Sequence, residues 1–254
     1  MPDPGVASLK GSPGSTFQAS LNPATPLAGN PPPVSVTLIP MVWSVLYQTP
    51  GVGPVHKTVP VTVTWKGHDA TSGVNHYTLY QSKDGGAYTQ VATTKTGSST
   101  RNLAPGHTYQ FEVTATDNAG NVSNAKAGKV YTLKLIQENS SSITYSTGWT
   151  RQTLTGASGG SVDFATVAGK TATLSFTGIQ AAWVSTVGST RGSATVKLDS
   201  GATVTISTHG TSPKTAQIVD VVSGASGAHK LVVKVLGTSG HPRVDVDAFV
   251  VLAG

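Results

Sequence analysis

The sequence contains no cysteine, and it is poor in charged and aromatic residues. Of its 254 residues, 11% are charged and 6% are aromatic. The missing thiols exclude a disulfide framework, a zinc site with thiolate ligands and a cysteine nucleophile. Glutamate occurs only at Glu112 and Glu138, so long amphipathic helices are not expected. The remainder is rich in Val, Thr, Ser, Ala and Gly, which is typical of short strands and turns.

The charge pattern and the apolar runs exclude two kinds of partner. The formal net charge is +6, but the basic residues are spread along the chain without the basic stripe of a nucleic-acid interface. The longest apolar stretch, residues 38–47, is interrupted by Pro40 and is much shorter than the ~20 residues of a membrane span. The first residues lack the basic and apolar regions of a secretory signal. We therefore expect no nucleic-acid partner and no membrane span.

The N-terminal segment is set apart by its proline content. Twelve of the 15 prolines lie within the first 60 residues, and residues 1–32 show neither strand nor helix periodicity. Such a segment is typical of an extended Pro/Gly-rich arm, and we expect it to hold the chain on a larger assembly. Met41, Trp43 and Tyr47 are candidate assembly contacts, because Met and aromatic residues are favoured at interface cores. Alternatively, the apolar run that contains them, residues 38–47, belongs to the first strand of the sandwich that follows.

Residues 33–134 predict an immunoglobulin-like β-sandwich. Tyr109, Phe111, Val113 and Ala115 alternate strictly with polar residues, as in a strand with one buried face. The segments VTVTW, DATSGVNHYTLYQSKDGGAYTQV and LAPGHTYQFEVTATDNAGNVS resemble a fibronectin type III or related module of bacterial surface and secreted proteins. The resemblance implies seven strands, a role as spacer or binding platform, no catalytic residues, and Tyr109 packed at a strand corner.

Residues 135–254 predict a second sandwich, with short alternating strands separated by Gly/Ser turns. Its last strand, residues 243–252, is expected to place Val244, Val246, Ala248, Val250 and Leu252 on one face. The segments ITYSTGWTR, ATLSFTGIQAAWVST, RGSATVKLDSG and RVDVDAFVVL resemble the galactose-binding-like jelly rolls that occur as carbohydrate-binding modules. The predicted fold is all-β, with an immunoglobulin-like sandwich and then a jelly roll behind an N-terminal arm.

No motif for catalysis is present. The seven histidines show no HExxH spacing, and no serine lies in a GxSxG elbow. Asp245 and Asp247 are two residues apart on one predicted strand and could form a carboxylate pair. Solvated strand charges or metal ligands are the other interpretations of this pair. The sequence therefore predicts that the protein is not an enzyme.

A structural calcium ion is the one cofactor that the jelly-roll resemblance implies. In many related jelly rolls, an acid at the start of the domain and one on the last strand share such an ion. Glu138 and Asp247 occupy comparable positions here, with Asp245 as an alternate ligand. Calcium prefers carboxylate and carbonyl oxygens, so these residues have suitable chemistry. We expect no cofactor to be required beyond this possible ion.

Candidate sugar-binding residues lie in or beside loops of the predicted jelly roll. A sugar site needs an aromatic face for the pyranose ring and fixed polar groups for its hydroxyls. Trp149 follows a Thr-Gly loop signal, whereas Trp183 lies in an apolar run typical of a core residue. The candidate ligand-binding set is Trp149, Arg191, His209, His241 and Arg243.

These patterns together predict a non-enzymatic structural or adhesion protein at an extracellular or virion surface. The arm would bind a capsid, tail or cell-surface protein, and the jelly roll would present a binding face for a cell-surface glycan. A phage head or tail decoration component fits this organisation. The alternative is an ancillary carbohydrate-binding fragment of a secreted bacterial polysaccharide hydrolase. A spacer without any ligand is the third possibility.

Overall fold

A computed structural model describes residues 35–37 and 55–254 of the chain. The described residues all belong to one compact unit. The all-β prediction is confirmed, because the only helical element among the described residues is a single 3-10 turn, Ser158–Gly160. Across the same ranges, no helix is long and apolar enough to cross a membrane. The predicted arm and the three candidate assembly contacts Met41, Trp43 and Tyr47 lie outside the described residues.

The first half of the described chain contains nine strands, all paired antiparallel. They are β1 (Ser35–Thr37), β2 (Val59–Thr64), β3 (Lys66–His68), β4 (Val74–Lys83), β5 (Thr89–Thr94), β6 (Ser98–Leu103), β7 (His107–Asp117), β8 (Lys126–Ala127) and β9 (Tyr131–Gln137). Strand β2 pairs with β6, while β5, β4, β7 and β9 follow one another in a larger sheet. The alternating apolar residues of both sheets face each other, so this half is a sandwich.

The core of this first sandwich contains the residues that the alternation selects. Val61 and Val63 of β2 pack in one cluster with Leu79 of β4 and Phe111 of β7. Tyr109 is 3% exposed, and its hydroxyl donates a 2.8 Å hydrogen bond to the carbonyl oxygen of Ala104. This contact pins the chain where it enters β7, which is the tyrosine-corner arrangement of immunoglobulin-like sandwiches. The expected position of Tyr109 is therefore confirmed.

The second half contains a further nine strands. They are β10 (Ile143–Tyr145), β11 (Thr150–Thr153), β12 (Ser161–Ala165), β13 (Thr171–Val187), β14 (Ser193–Leu198), β15 (Thr203–Ser207), β16 (Lys214–Val235), β17 (Val244–Val246) and β18 (Ala248–Ala253). Strands β11, β12 and β17 form a small sheet, and β15, β14, β16, β13 and β18 belong to the large one. Trp183, Leu174, Leu231, Phe249 and Val246 lie in the core cluster that both sheets share.

Strand β9 connects the two sandwiches. Its first residues pair with β7, and Thr132 to Gln137 pair with β18 of the second half. The predicted domain boundary after residue 134 therefore falls within a strand. The large sheet consequently runs without interruption from β15 at one edge to β5 at the other.

The end of the chain departs from the predicted single strand. The prediction of one strand over residues 243–252 with a common apolar face is wrong, because the chain changes sheet at Asp247. Val244 and Val246 of β17 face the second core, whereas Val250 and Leu252 of β18 face the first. Strand β18 is buried on both faces, which explains its uninterrupted apolar sequence.

Candidate functional site

Three loops of the second sandwich meet at one rim. Arg191 forms an isolated bridge with Arg243, and Gly188 forms one with His209. The carbonyl oxygen of Gly192 accepts hydrogen bonds of 2.9 Å from both the backbone N–H and the hydroxyl of Thr208. These contacts hold together the segments before β14, after β15 and before β17, which are far apart in sequence.

Four of the five predicted ligand-binding residues lie at this rim. We call Arg191, His209, His241, Arg243 and the acid between the arginines, Asp245, the rim cluster. The rings of His209 and His241 lie 4.4 Å apart between centroids, with an angle of 31° between their planes. Gly192 lies against this cluster, because a Cβ atom there would collide with the carbonyl oxygen of His241. The close approach of the loops therefore requires a glycine at this position.

Asp245 is the centre of the rim cluster. Its side chain is 0% exposed, and its two carboxylate oxygens accept hydrogen bonds from Arg191 Nε at 2.9 Å and Arg243 Nε at 2.5 Å. Its backbone oxygen accepts further bonds from Trp183 Nε1 at 3.2 Å and Ser185 Oγ at 2.7 Å. A buried carboxylate needs such partners because its desolvation is costly. Asp245 is thus committed to two arginines and is poorly placed to bind a metal or act as a catalytic carboxylate.

An aromatic ring packs against the guanidinium group of Arg243, one of the two arginines. The guanidinium carbon of Arg243 lies 3.9 Å from the ring centroid of Phe164 in β12, a cation–π contact. Phe164 pairs directly with Asp245 across the small sheet. Arg243 lies two residues before Asp245, and the ring of Phe164 therefore reaches the Arg243 side chain. Phe164 is not among the predicted binding residues. It stands between the buried Asp163 and Ala165 in β12, and nothing in this sequence indicates that its ring supports a cation.

Trp149, the fifth predicted ligand residue, lies elsewhere. Its ring packs on Tyr145, with centroids 5.1 Å apart, and against the second core. Its Nε1 atom is buried and has no hydrogen-bond partner within the described ranges. The tryptophan therefore packs against Tyr145 and the core of the second sandwich, and it does not extend the rim cluster.

Two of the three predicted metal ligands are brought together at the start of the second sandwich. The backbone N–H of Glu138 donates to the backbone oxygen of Asp247 at 3.2 Å, and both side chains are almost fully buried. Glu138 Oε1 accepts a 2.5 Å hydrogen bond from Ser161 Oγ. Neither carboxyl oxygen of Asp247 has a hydrogen-bond partner of normal geometry among the described residues.

The environment of Asp247 favours its neutral form. Burial raises the pKa of Asp247 to about 7, and the nearby carboxylates of Glu138 and Asp245 add to the increase. The backbone N–H groups of Ser158 and Ala216 oppose it only in part. A buried carboxyl group whose oxygens have no hydrogen bond of normal geometry, beside a second buried carboxylate, is suited to a cation. However, no group of three His, Cys, Asp or Glu side chains that could hold a metal occurs in the described part of the chain. Carbonyl oxygens would have to complete a calcium site here.

A further polar cluster, which sequence reasoning missed, lies in a cleft of about 530 Å³ beside β13 and β16. His229 Nδ1 lies 2.7 Å from Asp199 Oδ2, and His229 Nε2 lies 2.7 Å from the carbonyl oxygen of Ala225. Both partners are acceptors, so both contacts are hydrogen bonds only when both ring nitrogens carry protons. Asp199 first, and then the Ala225 carbonyl, raise the pKa of His229. Nothing in the sequence spacing connects Asp199, in a turn, with His229, in a strand 30 positions later.

Comparison with known proteins gives one family match. The model described as a PBP1-like, fibronectin3-like domain matches residues 56–126. This is a match to part of the first sandwich. It agrees with the resemblance to fibronectin type III modules noted in the sequence, and it covers less than half of the chain. No curated protein matches the sequence.

Similar solved structures are distant. A two-domain esterase active on acetylated mannans is 13% identical, with a TM-score of 0.38, and the match covers 48% of this chain and 36% of the esterase. A carbohydrate-binding module of the β-sandwich superfamily is 14% identical over 89% of this chain and 99% of its own, with a TM-score of 0.27. An exo-β-1,3-galactanase from Phanerochaete chrysosporium is 12% identical over 76% and 74%, with a TM-score of 0.33. This chain spans about a third of the esterase, and these scores are too low to transfer an activity.

Proposed function

We propose that this protein is a non-catalytic extracellular protein that binds a glycan at the rim cluster of its second sandwich. The rim cluster carries the proposal, because three loops bring two fixed guanidinium groups and two neighbouring imidazole rings to one place. Fixed planar donors and ring faces are the groups that orient sugar hydroxyls and pyranose rings. The fibronectin3-like family match of the first sandwich supports a role for that sandwich as a platform for the second one.

The acidic residues support binding in preference to hydrolysis. A glycosidase needs two carboxyl groups that reach the scissile bond from a cleft. The side chain of Asp245 is 0% exposed and paired with two arginines, and Glu138 and Asp247 are 2% and 0% exposed. None of these three carboxyl groups is open to a polysaccharide.

Glycan-array binding of the full chain tests this proposal. We expect weak binding of particular glycans, detectable because the array offers many copies. Arg191→Ala and His241→Ala should abolish it, whereas Lys95→Gln should not, because Lys95 lies on an exposed turn of the first sandwich. Unchanged binding by both rim variants would overturn the assignment of the site.

We also propose that residues 1–32 attach the chain to a larger assembly at a cell or virion surface. The proline-rich composition of this segment supports the proposal, because segments of this composition can bind along the surface of a partner. A secreted polysaccharide hydrolase that carries this chain as an ancillary part is the alternative. Deletion of residues 1–32 should prevent incorporation into the assembly and leave glycan binding unchanged. Incorporation of the deleted protein would contradict the attachment role.

Calcium is the proposed structural cofactor, with Glu138 and Asp247 as its carboxylate ligands. The unpartnered oxygens of Asp247 support the proposal. A bound cation would neutralise the two buried carboxylates and so join the end of β9 to the β17–β18 junction. Addition of calcium should raise the melting temperature at pH 8, and a chelator should reverse the increase. An unchanged melting temperature would exclude calcium from this site.

A further inference from the structure

The rim cluster carries more positive than negative charge. The guanidinium groups of Arg191 and Arg243 converge on one buried carboxylate, that of Asp245. Two positive charges therefore share one negative charge in a place where solvent screening is weak. The side chains of Arg191 and Arg243 are 14% and 17% exposed, so each keeps part of its surface open to solvent. Arg151, by comparison, lies 2.8 Å from Asp163 but is 50% exposed, and water solvates it.

The two arginines also retain unused hydrogen-bond donors. Arg191 uses Nε for Asp245 and Nη1 for Thr190 Oγ1 at 2.8 Å, which leaves Nη2 without a recorded acceptor in the described chain. Arg243 Nη2 is buried and likewise lacks a partner among the described residues. A buried guanidinium donor without an acceptor is unusual in a folded protein and costs free energy. The cluster thus has more donors than acceptors, and a ligand can supply acceptors at the solvent-exposed part of the two arginine side chains.

The chemistry of these donors selects the kind of ligand. A guanidinium group has only donors, and its fork matches the two oxygens of a carboxylate. Asp245 and the Phe164 ring hold the arginine side chains in place, so little side-chain freedom is lost when an anion binds. A neutral sugar hydroxyl would offer one weak acceptor and would leave the excess charge uncompensated.

We propose that the rim cluster recognises the carboxylate of an acidic sugar, namely a hexuronic acid residue within a polysaccharide. Arg191 and Arg243 bind the carboxylate oxygens, and the adjacent rings of His209 and His241 contact the sugar beside it. This inference rests on the proposed glycan-binding function and specifies its ligand class.

Isothermal titration of the full chain with tri-galacturonate and with its methyl ester tests the inference. Esterification removes the charge and keeps the sugar ring, so the wild-type protein is tested without any variant. Hydrogen bonds to charged groups contribute about 1.5–3 kcal/mol, so the ester should bind about tenfold to hundredfold more weakly. A hyaluronan tetrasaccharide extends the test to glucuronate, and a sulfated galactose trisaccharide separates carboxylate recognition from general anion binding.

Variants then locate the binding. Arg191→Gln and Arg191→Lys should both weaken binding of the acid, the first more, because lysine keeps the charge but loses the planar fork. Lys95→Gln removes one positive charge from the first sandwich and should leave binding unchanged. Equal losses in Arg191→Gln and Lys95→Gln would identify a general effect of net charge and would overturn the inference. Melting temperatures of all variants show whether a loss reflects unfolding.

The possible failures are distinguishable. Equal binding of acid and ester, or binding of galactotriose that His241→Ala abolishes, would leave the glycan-binding proposal intact and overturn the carboxylate assignment. Stronger binding of the sulfated trisaccharide than of both uronates would overturn it in the same way. Failure of the acidic probes, the neutral probes and the glycan array together would overturn both proposals.

Discussion

The raised pKa of Asp247 predicts how the stability of the protein depends on pH. Burial raises the pKa of this group from 3.8 to about 7. The folded state therefore binds the proton more tightly than the unfolded state does. The contribution to stability is fully present below about pH 4 and is lost progressively as the pH rises to about 7. A difference of roughly three pKa units corresponds to about 4 kcal/mol in the free energy of unfolding.

Comparison with Asp247→Asn isolates this effect. The amide has similar size and no charge at any pH, so the variant should lack the decrease in stability between pH 4.5 and pH 8. Urea denaturation of both proteins in a chelator, at intervals of half a pH unit, measures the difference. Titrating groups remote from Asp247 contribute equally to both proteins and cancel. We expect the variant to be the more stable protein at pH 8, and calcium should restore the wild type only.

Parallel pH profiles for the two proteins would refute this reasoning. That result would mean that the carboxyl group ionises normally in the folded state, with solvent or a permanent counter-ion beside it. It would also remove the main support for a cation between Glu138 and Asp247.

Three further predictions follow from single side chains. Asp245→Ala should destabilise the chain by about 3–5 kcal/mol in urea, since two largely buried arginines lose the carboxylate that they share; a change below about 1 kcal/mol would show that water replaces it. Tyr109→Phe should cost about 1 kcal/mol, because only the corner hydrogen bond is lost; an unchanged denaturation midpoint would contradict this. The imidazole of His229 should titrate above its ordinary pKa in an NMR experiment, and the stability that its contacts with Asp199 and Ala225 contribute should be lost as the pH rises through that raised value. Titration of His229 at or below 6.5 would show that its two acceptor contacts do not persist in solution.

Alternation in the sequence was sufficient to predict individual strands, because period two fixes which residues share a face. Strand β7 follows its predicted pattern over its whole length, with each apolar residue buried. At the end of the chain, the same alternation does not predict which core each residue faces. Period two continues through Asp247, but the strand changes sheet there, and its later residues face the other core. Local pattern contains no information on which core a face meets.

Residue type and loop position indicated most of the rim cluster, but they could not show its centre. Arg191, His209, His241 and Arg243 were selectable as polar residues in or beside loops. The pairing of both arginines with Asp245 depends on the register between β12 and β17 and on the bridge between Arg191 and Arg243. Such register is a property of the folded sheets. For the same reason, the packing of Trp149 on Tyr145 could not be separated from an exposed loop position.

A chemical-shift map of the full chain tests the central claim most directly. Amide resonances of a ¹⁵N-labelled sample are recorded while tri-galacturonate is added. Glycan binding at the rim predicts that the largest changes fall at residues 188–192, 207–210 and 241–245. Changes concentrated at Phe176, Asp199 and His229, or no changes with this ligand or with any array-selected glycan, would contradict it.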